Sequence, residues 1–197
     1  LAVDRLMAHE GNPHRLVVFD GVHSWMPALV AADAVAWMEL VAMQRDLRPP
    51  DTSAVAELWR RDLEAARRLE EDGELVRALR RYGSVERTFA GLRDISAAED
   101  AAERLAADPA LRRQQKQERK LLAWEERMKR VFARAYDQLR QANVAMPAAK
   151  LRLELGVPAL QRRAGQHDAE GLVARRLLAT LFTELSFYLT RELFEQH

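Results

Sequence analysis

The sequence predicts a mainly α protein, an irregular antiparallel array of helices preceded by a remnant β-strand and the helix that follows it. Three observations lead there. From residue 52 onward, apolar side chains recur at three- and four-residue spacing, the period of a helix face. The breaks between these runs are helix stop and start signals, among them Asp72-Gly73, Asp108-Pro109 and Gly156-Val157-Pro158. Only residues 15–19, Arg15-Leu16-Val17-Val18-Phe19, form a short apolar, partly β-branched run of strand type.

Each element has its own justification. Residues 3–9 have weak helical spacing and end at Gly11-Asn12-Pro13. The strand expected at 15–19 is apolar at nearly every position, so it should be covered on both faces as in a parallel sheet. No second strand is evident, and a lone strand cannot satisfy its own backbone, so its sheet is expected from residues before Leu1 or from another chain. Asp20-Gly21 then forms a turn that presents His23. Pro27 suits the first turn of a helix reaching residue 44, with Val30, Ala34, Trp37, Met38 and Val41 on the face that covers the sheet.

Pro49-Pro50 opposes helix and marks a domain boundary, giving residues 1–48 and residues 52–197 as the two parts. If that boundary holds, removing the first part leaves the second folded. In the second part, helices at 53–71 (Val55, Leu58, Trp59, Leu63, Ala66, Leu69) and 74–92 (Leu75, Ala78, Leu79, Tyr82, Val85, Phe89) form an antiparallel hairpin around Gly73. Ser96 and Glu99 have capping-box spacing for a short helix to residue 107. Asp108-Pro109 opens a helix to about residue 142, roughly 50 Å long at 1.5 Å per residue. Its first half, from Arg112 to Lys120, is a solvated polar face, and Leu121, Trp124, Met128, Phe132, Ala135 and Leu139 give the second half an apolar seam. Two short helical pieces follow Pro147, and Gln166-His167-Asp168 introduces a last helix with Leu178, Leu181, Leu185, Tyr188 and Leu189 on its apolar face.

Composition narrows the function classes. The 31 Lys and Arg balance 30 Asp and Glu, which gives no electrostatic reason to expect nucleic acid. There is no cysteine, so disulfides and thiolate metal sites are excluded. No apolar run reaches the roughly 20 residues that span a bilayer, and the first residues lack a signal-peptide pattern. A soluble protein is expected, of cytoplasm or periplasm alike. His9, His14, Asp20 and His23 do not form a compact ligand set, so neither a metal nor another cofactor is expected.

Two resemblances add to this reading. Residues 59–91 are similar to one tetratricopeptide repeat: Ala66 and Ala78 match its small positions, Leu69 and Tyr82 its packing positions, while Ala90 stands where such repeats end in proline. The stretch FDGVHSWMP, with the strand before it and the helix after it, resembles the C-terminal end of an α/β-hydrolase domain of the predicted-esterase or dienelactone-hydrolase-like type. That resemblance covers about residues 1–44. It implies that residues 15–19 are the last strand, Gly21 the turn, His23 the catalytic histidine and residues 27–44 the closing helix, with Val22 where a second glycine is common.

By the same resemblance His23 would take a proton from a serine and return it to the leaving group, with a carboxylate orienting the ring. Chain order in that fold is serine, acid, histidine, so both partners are expected before Leu1. No G-x-S-x-G is present, and Ser84 lies within the helical hairpin. Trp25 either lines the substrate pocket or anchors the loop against the following helix. The chain therefore reads as the C-terminal fragment of a serine hydrolase for an ester or peptide-like small substrate, joined to a helical accessory module and inactive alone. The alternative is a non-catalytic helical scaffold that binds a protein or peptide partner.

Overall fold

The computed structural model describes residues 7, 9, 13–15, 17, 25–142 and 148–195, with the backbone alone for 139–142, 148–149 and 184–195. Among these residues the protein is mainly helical, with eight helices and no strand: α1 (Ala28–Gln44), α2 (Thr52–Glu71), α3 (Leu75–Phe89), α4 (Ser96–Ala107), α5 (Pro109–Ala142), α6 (Ala148–Glu154), α7 (Val157–Ala164) and α8 (Ala169–Glu195). Of the expected strand only Arg15 and Val17 are described, and neither is in a strand. Most of residues 3–9, the rest of the strand and the His23 turn lie outside the described residues. No helix among the described residues is long and apolar enough to cross a membrane. The chain divides into two compact units, Leu1–Gln114 and Gln115–His197.

Unit 1 is built around the α2–α3 hairpin, with α1 and α4 both packed on α3. Asp51 starts α2 by accepting hydrogen bonds from the Ser53 and Ala54 backbone N–H groups at 3.1 and 3.0 Å. Gly73, at φ +75°, ends it: its N–H donates to the Glu70 carbonyl and that of Glu74 donates to the Leu69 carbonyl, a Schellman closure that needs a left-handed residue. Gln114 in the first turns of α5 braces this corner, its Nε2 donating to the Gly73 carbonyl at 2.6 Å. Ala66 and Ala78 are wholly buried where the two helices meet. Trp59 and Phe89 pack edge to face beside them, ring centroids 5.2 Å apart, and the Arg93 guanidinium lies over the Trp59 ring.

The core of unit 1 reaches back into α1. Leu40 and Met43 are buried in one cluster with Val55, Leu63, Tyr82, Val85 and Leu105, and Gln44 Nε2 donates to the Arg87 and Ala90 carbonyls at the end of α3. The prolines at 49 and 50 do interrupt the helices, but the compact units divide at Gln114, because α1 shares the hairpin's core. A second difference concerns α4. Ser96 is its first helical residue and Ile95 its N-cap, with no side-chain cap; Asp94 Oδ1 accepts the Ser96 N–H at 3.0 Å.

In unit 2, Phe132 of α5 joins Leu155, Val157 and Leu160 with Val173, Ala174, Leu177 and Leu181 of α8. Leu177 is fully buried while Leu178 packs at the edge; the side chains of Leu139, Leu185, Tyr188 and Leu189 lie outside the described residues. Asp168 opens α8 by accepting the Gly171 N–H at 2.7 Å. Gly171 is required there, since a Cβ would stand 2.1 Å from the Gln166 carbonyl oxygen. Glu125 is buried against Arg176, Nη2 to Oε2 2.6 Å, with Lys129 also paired to it. Burial pushes the Glu125 carboxyl up, but its hydrogen bonds to Arg176 and Lys129 outweigh that and hold it below its ordinary value.

The shared core yields a test of the boundary. Leu40→Ala is expected to destabilise unit 1 by about 2–5 kcal/mol, the range for a buried leucine left as a cavity. Urea melts followed by tryptophan fluorescence check this. An unchanged melt would mean that residues 52–197 fold without α1.

Candidate functional site

His23, the residue that the hydrolase resemblance singles out, lies outside the described residues, as do Asp20, Gly21 and Val22. The structure places the residues on either side of it. Trp25 stands just before α1 and is 94% exposed. Pro27 caps α1 instead of occupying its first turn, and its carbonyl accepts the Ala31 N–H at 3.1 Å.

α1 itself is apolar almost all round. Leu40 and Met43 face the hairpin, whereas the side expected to cover a sheet is left uncovered: Ala34 and Met38 are exposed, and Val30, Trp37 and Val41 are only partly buried. Leu29 is 83% exposed and Val35 is exposed as well. A helix that is hydrophobic on every side belongs between two covering layers.

On the hairpin, a buried carboxylate gathers charges from three segments. Asp62 of α2 is 3% exposed. Its Oδ1 accepts Arg81 Nη2 of α3 at 2.8 Å and Arg61 Nε and Nη2 at 3.3 and 3.2 Å, and its Oδ2 lies 3.8 Å from Arg15 Nη1. Arg61 also reaches Asp33 of α1 at 3.0 Å. Burial first, then the neighbouring Arg81 charge, push the Arg15 guanidinium below its ordinary value. Sequence reasoning missed this cluster. The available signal was an acid at position 62, inside the apolar stripe of Val55, Trp59, Leu63 and Ala66, where an unpaired charge is costly.

A cleft of about 610 Å³ opens beside α2, α3 and α4, lined by Arg67, Glu70, Glu71, Tyr82, Ala97, Asp100, Ala101 and Arg104. Glu70 is its hub. It accepts the Tyr82 hydroxyl at 2.9 Å and both Nη atoms of Arg104. The Arg104 hydrogen bonds, with Tyr82 adding to them, hold the Glu70 carboxyl below its ordinary 4.5; burial and Glu70 together push the Tyr82 hydroxyl up to about 12. Tyr82 therefore stays protonated near neutrality, its hydroxyl donating to Glu70 in a cleft lined mostly by charged and polar side chains. Among the described residues, no three of His, Asp and Glu come together to hold a metal ion.

No protein-family model matches this chain, and no curated protein or solved structure does either.

The direction of the Glu70 shift fixes a pH dependence. Because the folded carboxyl is held below its ordinary 4.5, its contribution to stability is complete above that pH and is lost as pH falls through the depressed folded value. Glu70→Gln should accordingly melt below the wild type at neutral pH, and the gap should close on acidification. Thermal melts of both proteins across the acid range provide the check.

Proposed function

We propose that this chain is the C-terminal part of a serine hydrolase of the α/β-hydrolase type, joined to a helical accessory module, and that His23 is its proton carrier. The observation that carries the reading is the two-sided apolar character of α1. Its Leu40 and Met43 side packs on the hairpin, and the Val30, Ala34, Trp37, Met38 and Val41 side offers an apolar surface suited to a sheet. In this reading residues 15–19 are the last strand of that sheet, which earlier residues of a longer protein complete, and α1 is the closing helix.

The chemistry follows from the roles. A serine and a carboxylate from the earlier part complete the triad; His23 accepts the serine proton as the hydroxyl attacks the acyl carbon, and returns it to the leaving alcohol or amine. The substrate class is an ester or a peptide-like acyl compound. Trp25, which follows the loop in the chain and is exposed, would in this reading meet substrate or the covering domain. The α2–α3 pair is the tetratricopeptide-like element of the module, a reading supported by the buried Ala66 and Ala78 and by Tyr82 packed next to them.

A second reading, a helical scaffold that binds a protein or peptide partner without catalysis, is favoured by the polar cleft around Glu70. One experiment separates the two. In the longer protein carrying this chain, a serine-reactive fluorophosphonate should label the enzyme, and His23→Ala should lower ester turnover by about 10⁴- to 10⁶-fold. Labelling and turnover that survive His23→Ala unchanged rule out the triad role and leave the scaffold.

A further inference from the structure

We infer that the basic flank of α5 in unit 2 binds the phosphate backbone of a nucleic-acid duplex. All residues of this flank belong to unit 2, and its role is independent of any hydrolase activity.

The near-even count of 31 cations and 30 acids over the chain conceals a segregation. Residues 115–197 carry 15 Lys and Arg against 10 Asp and Glu, whereas residues 1–114 carry 16 against 20. The electrostatic attraction for a polyanion that the whole-chain balance withholds is therefore present in unit 2. It is concentrated on one helix. The seam of Leu121, Trp124, Met128, Phe132 and Ala135 packs into the core of unit 2 and fixes which side of α5 meets water. At 3.6 residues per turn, Lys116, Arg119, Lys120, Arg127, Arg130 and Arg134 fall within about 100° of arc outside that seam, and the only other residue of 116–134 on the arc is Ala123.

All six cations are exposed, and among the described residues none of them is held in an ion pair or a side-chain hydrogen bond. The acids of this stretch stand elsewhere. Glu118 and Glu125 lie on the other side of the seam, Glu125 being paired with Arg176 and Lys129. Glu126, just outside the arc, is 3.8 Å from Lys129, and Asp137 follows the row at its edge.

The row is about 27 Å long at 1.5 Å per residue, most of one duplex turn of about 34 Å. Four of its six cations are guanidiniums, whose fork takes two phosphate oxygens at once. Other anionic partners fit less well. A helix that lies on a membrane buries its apolar face in the bilayer, but that of α5 is taken by its own core. A single strand stacks its bases on exposed aromatic rings, and Trp124, the aromatic of α5 nearest the row, is partly buried beneath the Arg163 guanidinium. A protein partner brings an apolar centre to its contact, and here the row offers one methyl group, that of Ala123.

The test is fluorescence anisotropy of a labelled mixed-sequence DNA duplex of about 20 base pairs with the whole chain, titrated from about 50 to 200 mM salt. The logarithm of the binding constant should fall against that of salt with a slope of about −5, roughly −0.9 for each of the six cations. Arg127→Gln/Arg130→Gln/Arg134→Gln should reduce the slope to about −3, and lysine at the same three positions should keep it near −5. These side chains are exposed and unpaired, so the variant keeps its fold, which a circular dichroism melt checks. Lys150→Gln removes a cation elsewhere in unit 2 and should leave the slope as in the wild type. The inference is overturned by absence of binding at the lowest salt, or by a triple glutamine variant with the wild-type slope. Phosphatidylserine vesicles or polyglutamate bound as tightly as the duplex overturn it too, as does a low-salt dimer that the triple variant breaks and the duplex does not compete with.

Discussion

The close crossing of α2 and α3 is the contact on which the rest of unit 1 depends. Ala66 and Ala78 have no exposed surface, and with only a methyl group on each helix the two backbones draw together. That approach brings Trp59, Tyr82 and Phe89 into one layer, and it sets the register that places Asp62, one turn before Ala66, opposite Arg81, one turn after Ala78. α1 and α4 both pack on α3, so spreading the hairpin would open their contacts as well. A larger side chain at either alanine would cost about 1–3 kcal/mol from overpacking and would disturb the polar cluster with it.

Much of this architecture was legible from residues alone. The hairpin, its glycine turn and the helix starts at Asp108 and Asp168 follow from spacing and capping chemistry, because each depends on residues within one turn of one another. Ser96 misled for a local reason: the helix starts one residue earlier than a Ser96 cap allows, with Ile95 at the N-cap and Asp94 accepting the N–H of Ser96 itself. At Pro49-Pro50 the local signal leaves a longer-range question open. Proline shows where a helix stops, but not whether the helix before it shares a core with the helices after it; the burial of Leu40 and Met43 is a tertiary fact. The polar sites were illegible for the same reason. Asp62 and Glu70 gain their meaning from Arg15, Arg81, Tyr82 and Arg104, all at least a dozen residues away in the chain.

α1 has a covered side and an exposed side, both apolar. A one-sided amphipathic helix would have declared its partner by its stripe, but α1 has apolar residues on both sides and so points to two partners at once. One is present: the hairpin takes Leu40 and Met43. The other side, which holds Ala34 and Met38, is exposed.

The Asp62 cluster is best understood through what burial of charge does and does not provide. Withdrawing a carboxylate and its guanidinium partners from water is expensive, and apolar residues of similar volume are often as stabilising as a buried ion pair, so the cluster is weak evidence for stability. Three guanidiniums also face two carboxylates there, and Arg81 Nε is left without a hydrogen-bond partner, which is not how an arrangement selected for stability alone would be composed. What the cluster adds is direction. An apolar contact accepts a sliding neighbour, whereas a buried carboxylate accepts a guanidinium only where its oxygens point. The cluster therefore fixes Arg15 and Arg81 against α2 in a set direction, which packing alone would leave free to slide.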